Sequence, residues 1–134
     1  MTRVLIADDH EAMRQSLTRA LKMQPDVEVV GEASDGGSAV KLACELSPDV
    51  VLMDVVMPRV GGIEATRRIR EQCPGVRVIA LSVHVSKTYA FRMFQAGASA
   101  YVVKNGDVEE LLRVVDEVSR GRTYLSPEIV DGQP

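Results

Sequence analysis

The sequence predicts an α/β fold built on a parallel β-sheet, because strand-like and helix-like segments alternate five times along its 134 residues. The strand-like segments are short, nearly continuous apolar runs, which is typical of strands buried on both faces. Pro and Gly residues separate these segments from one another. The length suits one domain with its own core, and a hydrophobic content of 46% indicates a folded protein.

The first half of the chain contains three predicted strands and two predicted helices. Valine-rich runs favour strands, and apolar residues that recur every three or four positions favour helices. Pro25 and Pro48 each end a helical pattern, while Asp35 and Ser38 are candidate caps for the second helix. These signals give strands at 3–8, 27–32 and 49–54, and helices at 10–23 and between Ser38 and Pro48.

The second half continues the alternation after a loop at 55–62 that is rich in Pro and Gly. Pro74 and Gly97 end the third and fourth helical patterns. We place helices at 63–72, 86–96 and 108–120, and strands at 76–82 and 99–103. Parallel strands need right-handed crossovers, so the prediction is a doubly wound (βα)5 sheet of five strands. We choose the flavodoxin-like strand order 2-1-3-4-5.

The last segment, 121–134, contains two Pro and two Gly residues and lacks a sixth apolar run. We therefore predict one domain at 1–120 and the start of a linker at 121–134, with a frayed terminus as the alternative. No apolar stretch approaches the roughly 20 residues that span a bilayer. The N-terminus shows no signal-peptide pattern, so we expect a cytoplasmic protein without membrane association.

Charge and cysteine content narrow the function classes further. The net charge of −3 argues against direct nucleic-acid binding, because contacts with phosphates need a basic patch. Cys44 and Cys73 fit no metal-ligand spacing. We expect them to be two partly buried thiols in a reducing compartment.

Polar side chains follow four of the predicted strands at the point where each strand ends. Asp8 and Asp9 end the first strand, Asp54 the third, Ser82 the fourth and Lys104 the fifth. In open α/β sheets the ligand site lies outside the carboxyl ends of the strands. The sequence therefore predicts a compact site of three carboxylates, one hydroxyl and one ammonium.

This set of groups suits metal-assisted phosphoryl chemistry. Neighbouring carboxylates stay ionised only beside a cation, and oxygen ligands with room for water suit Mg²⁺. A carboxylate beside Mg²⁺ can attack a phosphoryl group and form an aspartyl phosphate. Asp54, on the middle strand, is the best nucleophile candidate, and Asp8 and Asp9 are better placed as metal ligands. Lys104 supplies positive charge for the transferred oxygens, and Ser82 supplies a hydrogen bond.

Over about 2–120, the chain resembles the receiver domain of two-component response regulators. The motifs that carry the resemblance are Asp8-Asp9-His10, Asp54 followed by Met57-Pro58 and Gly61-Gly62, Ser82, and Ala96-Gly97-Ala98 before Tyr101 and Lys104. Each motif is weak by itself, but all of them occur in order at the ends of the expected strands.

The resemblance implies that Asp54 is the phosphoacceptor. It implies that Asp9, Asp54 and the backbone carbonyl of Val56 bind Mg²⁺ directly, while Asp8 acts mainly through water. Lys104 would pair with the acyl phosphate.

The resemblance also implies a switch and a partner. Ser82 would swing toward the phosphate and Tyr101 would rotate inward, which changes the surface formed by 86–96 and 99–103. The donor would be a sensor histidine kinase, and the altered surface would control a homodimer or an output domain.

The segment 121–127 resembles the region that follows receivers of the NarL/FixJ type. In that group a helix-turn-helix domain comes next and regulates transcription. No such domain is present in this chain, so contact with DNA is expected only through an output domain outside it.

Two departures from the family pattern concern the phosphate site. Val83 follows Ser82 where a smaller residue is common, and Val56 cannot position a water by hydrogen bonding. We expect a phosphoacceptor that takes part in its own phosphorylation, not a turnover enzyme. Two alternatives stay open, namely a phosphate-independent interaction module and a Mg²⁺-dependent phosphatase. Val56 counts against the phosphatase, because such enzymes commonly carry a carboxylate at that place.

Overall fold

The computed structural model describes residues 1–131. The strands are β1 (Thr2–Ala7), β2 (Val27–Ala33), β3 (Val50–Asp54), β4 (Arg77–Ser82), β5 (Ala100–Val103) and β6 (Tyr124–Leu125). The helices are α1 (Glu11–Lys22), α2 (Gly36–Leu46), α3 (Gly62–Gln72), α4 (Lys87–Ala96), α5 (Val108–Ser119) and α6 (Pro127–Asp131). The predicted elements are all present, and each end that was predicted by number lies within one residue of the observed end.

All neighbouring strands pair in parallel, in the order β2-β1-β3-β4-β5-β6. The prediction of an α/β fold with a parallel sheet is therefore confirmed. The predicted count of five strands is wrong, because β6 extends the sheet beside β5. The first five positions of the observed order follow the sequence 2-1-3-4-5, and the sixth strand makes the complete order different from the prediction.

The sheet separates two apolar layers, because successive side chains of a strand point to opposite faces. On one face, Leu5 and Val51 pack with apolar residues of α2, α3 and α4. On the other face, Ile6 and Leu52 pack with residues of α1 and α5. Both faces of the central strands are thus buried, which explains why those strands read as continuous apolar runs.

Side-chain caps fix where three of the helices begin. Asp35 caps α2, since its Oδ1 accepts a hydrogen bond of 2.9 Å from the backbone N–H of Ser38. Ser86 and Asp107 cap α4 and α5 in the same way. Gly97 ends α4 with a φ of 109°, a left-handed conformation that glycine adopts without a steric cost.

The segment after α5 folds back onto the sheet. The backbone N–H of Tyr124 donates to Ser99 O at 3.1 Å, and that of Ser126 donates to Tyr101 O at 3.0 Å. Ser126 is fully buried, and its Oγ accepts a hydrogen bond of 3.0 Å from the N–H of Val103. The expectation that no sixth strand follows residue 121 is therefore wrong. The rest of the predicted linker, 132–134, lies outside the described residues.

Within residues 1–131, no helix is both long and apolar enough to cross a membrane.

The packing of α6 gives a direct stability test. Ile129 is 3% exposed and belongs to the same apolar cluster as Tyr101 and Met93. We expect Ile129→Ala to lower the free energy of unfolding by about 2 kcal/mol or more, because it removes buried methyl groups and leaves a cavity. Urea unfolding at neutral pH measures this loss.

Val108→Ala is the control, since Val108 is 40% exposed and its substitution should change stability by less than about 0.5 kcal/mol. An unchanged midpoint for Ile129→Ala would show that α6 does not pack on the domain.

Candidate functional site

The carboxyl ends of β1, β3, β4 and β5 meet at one edge of the sheet and bring the predicted polar groups together. Asp9, Asp54, Ser82 and Lys104 line one open cavity of about 800 Å³. Asp8 lies beside them, since its carboxylate contacts Lys104. The five residues that were predicted to be close in space are therefore close, and their chemical roles stay predictions.

Lys104 lies between two buried carboxylates. Its Nζ is 2.8 Å from Asp8 Oδ2 and 3.5 Å from Asp54 Oδ1. The side chains are 10% exposed for Lys104, 2% for Asp8 and 9% for Asp54, so water screens these charges poorly. The backbone N–H of Lys104 donates to Ser82 O at 2.7 Å, which fixes the lysine against the end of β4.

The two buried carboxylates have opposite pKa shifts. Burial raises the pKa of Asp54 to about 6, and the charge of Asp8 and a hydrogen bond with Asp9 add to the effect against the attraction of Lys104. Burial would also raise the pKa of Asp8, but hydrogen bonds from Lys104 Nζ and the His10 N–H lower it below its usual range. Lys104 therefore compensates the negative charge of Asp8 more fully than that of Asp54. An added cation would stabilise the ionised form of Asp54 the most.

The acidic residues are close enough to share a divalent cation. One ligand atom from each of Asp8, Asp9, His10 and Asp54 lies within 4.8 Å of the others. Asp9 Oδ1 is buried and accepts no hydrogen bond from any residue between 1 and 131. A buried carboxylate oxygen without a hydrogen bond and three carboxylates in one place fit a hard cation such as Mg²⁺.

His10 and Val56 also border this group. His10 Nδ1 is 3.3 Å from both Asp8 Oδ1 and Asp9 Oδ1, and its side chain is 73% exposed. The sequence predicted no ligand role for His10, which entered only as part of the Asp8-Asp9-His10 motif. Val56 lines the cavity, and the role of its backbone carbonyl stays a prediction.

A close backbone contact holds Asp54 against the start of α3. A Cβ added to Gly62 would lie 2.1 Å from the carbonyl oxygen of Asp54, so only glycine fits. The Gly62 N–H also donates to Val55 O at 2.8 Å. A Cβ at Gly61 would meet its nearest atom at an ordinary 3.6 Å. Of the Gly61-Gly62 pair, the second residue is therefore the one that this site requires.

The backbone of His84 connects the two predicted switch residues. Its N–H donates to Ser82 Oγ at 3.0 Å, and its carbonyl oxygen accepts a hydrogen bond of 2.9 Å from the Tyr101 hydroxyl. Tyr101 is fully buried, so its ring points inward, and burial raises its pKa. No motif of the sequence predicts this connection. Its contacts use backbone atoms, which leave no signal in the residue type.

Comparison with known proteins gives a consistent result. The profile of the response regulator receiver domain family matches residues 4–116. The chain is 42% identical to the response regulator GacA of Pseudomonas aeruginosa over 129 residues, which is 96% of this chain and 60% of that protein. It is 40% identical to the transcriptional regulatory protein DegU of Brevibacillus brevis over 126 residues, covering 94% of this chain and 53% of that protein.

A solved structure shares the complete architecture. The crystal structure of a LuxR-family two-component response regulator from Aurantimonas sp. SI85-9A1 superposes with a TM-score of 0.92 at 38% identity. The superposition covers 97% of this chain and 93% of that one. The match therefore includes the segment after α5 that the sequence reasoning assigned to a linker.

The raised pKa of Asp54 predicts how stability depends on pH. The folded-state pKa of about 6 lies above the ordinary 3.8, so ionising Asp54 opposes folding. This cost is absent below about pH 4, grows as the pH rises to about 6, and is complete above it. Asp54→Asn removes the cost, so we expect the variant to be about 1–3 kcal/mol more stable than the parent at pH 7.5, with the difference closing toward pH 4.

Urea unfolding in EDTA at several pH values measures this difference. Asp26→Asn is the control, because Asp26 is an exposed aspartate outside the acidic cluster. A stability difference between Asp54→Asn and the parent that is the same at pH 4 and pH 7.5 would contradict the raised pKa.

Proposed function

The chain belongs to the response regulator receiver domain family, whose members are phosphorylation-controlled signalling switches, and we propose that Asp54 is its phosphoacceptor. The observation that carries this proposal is the environment of Asp54. The residue ends the central strand β3, is largely buried, borders an open cavity, and has an ammonium 3.5 Å away. A carboxylate in this setting is accessible to a phosphoryl donor, and Lys104 compensates its negative charge only in part.

In the proposed reaction, an oxygen of the Asp54 carboxylate attacks the phosphorus of a phosphohistidine. An O–P bond forms and the P–N bond breaks, and the leaving imidazole keeps the electron pair and takes a proton from solvent. With a pKa of about 6, Asp54 is mostly ionised at neutral pH and can act as the nucleophile. Lys104 lies close enough to pair with the transferred oxygens, and Ser82 Oγ can donate a hydrogen bond to them.

We propose that Asp8, Asp9 and Asp54 hold Mg²⁺ together with the backbone carbonyl of Val56. Asp9 Oδ1, which accepts no hydrogen bond from residues 1–131, and the short distances among the carboxylates support this assignment. When bound, Mg²⁺ supplies positive charge that offsets the repulsion between these carboxylates and the incoming phosphoryl oxygens. Asp9 and Asp54 are the proposed direct ligands, and Asp8, which already pairs with Lys104, is the proposed ligand through water.

We propose that the chain is a phosphoacceptor and not a turnover enzyme. A phosphatase that uses an aspartate nucleophile commonly has a second carboxylate two residues later as its general acid. That position holds Val56, which has no acidic group. The proposed phosphoryl donor is a sensor histidine kinase, because the family operates in two-component systems.

The output that this switch controls is also a proposal. The chain spans 53% and 60% of the length of the DegU and GacA relatives, whose names denote a transcriptional regulatory protein and a response regulator. We propose that the chain regulates transcription through a DNA-binding output domain outside these 134 residues, either directly or by forming a homodimer. The cytoplasmic location expected from the sequence stays a prediction.

The proposed signal path runs from the phosphate site to β5. Ser82 and Tyr101 are joined through the backbone of His84, so a movement of Ser82 toward a phosphate disturbs the hydrogen bond of Tyr101. Tyr101 lies on β5, and Ser126 bonds to the same strand at Tyr101 O and Val103 N. A change at Asp54 can therefore alter the surface formed by α4, β5 and α5 as well as the segment after residue 121.

Phosphorylation of the purified chain tests the acceptor. We expect acetyl phosphate with Mg²⁺ to add one phosphoryl group, seen as about 80 Da in intact mass, and EDTA to reduce the yield strongly. Asp54→Asn should give no adduct, while Asp26→Asn should match the parent. An adduct on Asp54→Asn would assign the acceptor to another residue, and no adduct on any protein would favour a phosphate-independent module.

The role of Ser82 has a separate test. We expect phosphorylation to shift the amide NMR signals of residues 82–103, because Ser82, His84 and Tyr101 are connected by hydrogen bonds. Ser82→Ala removes the hydroxyl, so its phosphorylation should shift only signals around Asp54. Ser16→Ala, an exposed serine that lines the same cavity, should behave like the parent. An unchanged response of residues 83–103 in Ser82→Ala would exclude this path.

A further inference from the structure

The two cysteines meet in space although they are far apart in the sequence. Cys44 lies near the end of α2, and Cys73 follows the last residue of α3. Their Sγ atoms are 2.6 Å apart, and both residues are free thiols that are partly exposed to solvent. A disulfide bond is about 2.05 Å long, so the two sulfur atoms need to approach by only about 0.5 Å.

We propose that Cys44 and Cys73 are a reversible thiol–disulfide site that reacts with small disulfide compounds. The pair is separate from the acidic cavity, because α3 begins beside Asp54 at Gly62 and Cys73 lies at its other end. A helix of 11 residues spans roughly 16 Å, which keeps the sulfur atoms away from the phosphate site. The inference therefore does not depend on the proposed function.

The chemistry assigns different roles to the two thiols. Burial raises the pKa of Cys73 to about 12, with a further contribution from its hydrogen bond with Cys44, so Cys73 stays protonated at neutral pH. Since only a thiolate attacks a disulfide readily, the raised pKa disfavours Cys73 as the first nucleophile, and we assign the first attack to Cys44.

The proposed exchange has two balanced steps. In the first, the Cys44 thiolate attacks one sulfur of the small disulfide, forms a mixed disulfide, and releases one small thiolate. In the second, the sulfur of Cys73 attacks Cys44 Sγ, the S–S bond of the mixed disulfide breaks, and the second small thiolate leaves. This thiolate takes the proton of Cys73, and the first small thiolate takes a proton from solvent. Two protein thiols are oxidised by two electrons, and one small disulfide is reduced to two small thiols.

The bond would tie two helices together across the segment 44–73, which contains β3 and Asp54. Cross-linking this segment restricts the unfolded chain, so we expect the melting temperature of the oxidised protein to rise by roughly 5 °C or more. Disulfides in reducing compartments are typically transient, so a reversible bond is the form that fits the expected location.

Glutathione mixtures test the site in the complete chain. The protein is equilibrated without oxygen at increasing ratios of oxidised to reduced glutathione, quenched with acid and analysed by intact mass. At oxidising ratios we expect the protein to lose about 2 Da and to carry no attached glutathione. A tryptic digest without reduction should contain a product that joins peptides 42–59 and 71–77. Dithiothreitol should reverse both changes and the rise in melting temperature.

Single substitutions separate the two roles. Cys73→Ser should accumulate a mixed disulfide of glutathione on Cys44, because the second step is missing. Cys44→Ser should react far more slowly at Cys73. Melting curves of both reduced variants confirm that they are folded before the comparison.

Two unreacted thiols at every glutathione ratio, or only disulfides between two chains, would overturn the proposal. Faster reaction of Cys44→Ser than of Cys73→Ser would overturn the assigned order.

Discussion

The contacts of Lys104 with Asp8 and Asp54 are the interaction on which the site depends. Three carboxylates meet one ammonium at the carboxyl edge of the sheet, so the negative charges outnumber the positive one. Lys104 forms its shorter contact with Asp8, and the pKa of Asp54 is raised as a result of burial and the remaining repulsion. Buried charges that are only partly compensated are costly to the folded state. The proposed cation and phosphoryl site therefore lowers the stability of the folded state.

The surrounding backbone keeps this unfavourable arrangement compact. Gly62 lets α3 begin against the carbonyl of Asp54, where any larger residue would displace the strand end. The Lys104 N–H donates to Ser82 O, so the ends of β4 and β5 stay together beside the carboxylates. The apolar layers on both faces of the sheet stabilise the fold and offset the cost of the buried charges.

The same edge is connected to the segment after α5 through backbone groups and β5. His84 bonds to Ser82 by its N–H and to Tyr101 by its carbonyl, and β5 carries that connection to Ser126. The segment after α5 is thus hydrogen-bonded to the strand that carries Tyr101, the residue proposed to move with Ser82. This arrangement gives a short physical route between Asp54 and the part of the chain that leads to any following domain.

The sequence by itself determined the five main strands, the five longer helices and the five polar residues at the strand ends. Each has a local cause, since apolar runs, helical spacing, caps and breakers act within a few residues. It also determined which residue types reach the carboxyl edge, because parallel strands all end there.

Only the tertiary structure decided the features that depend on distant partners. Strand β6 has two residues and forms because β5 offers an open edge, so no local pattern predicts it. The unequal pairing of Lys104 with Asp8 and Asp54 depends on distances across three strands. His84 acts through its backbone, and Cys44 meets Cys73 across two helices. In each case the contact joins residues that only folding brings together. Residue type and sequence spacing therefore do not predict it.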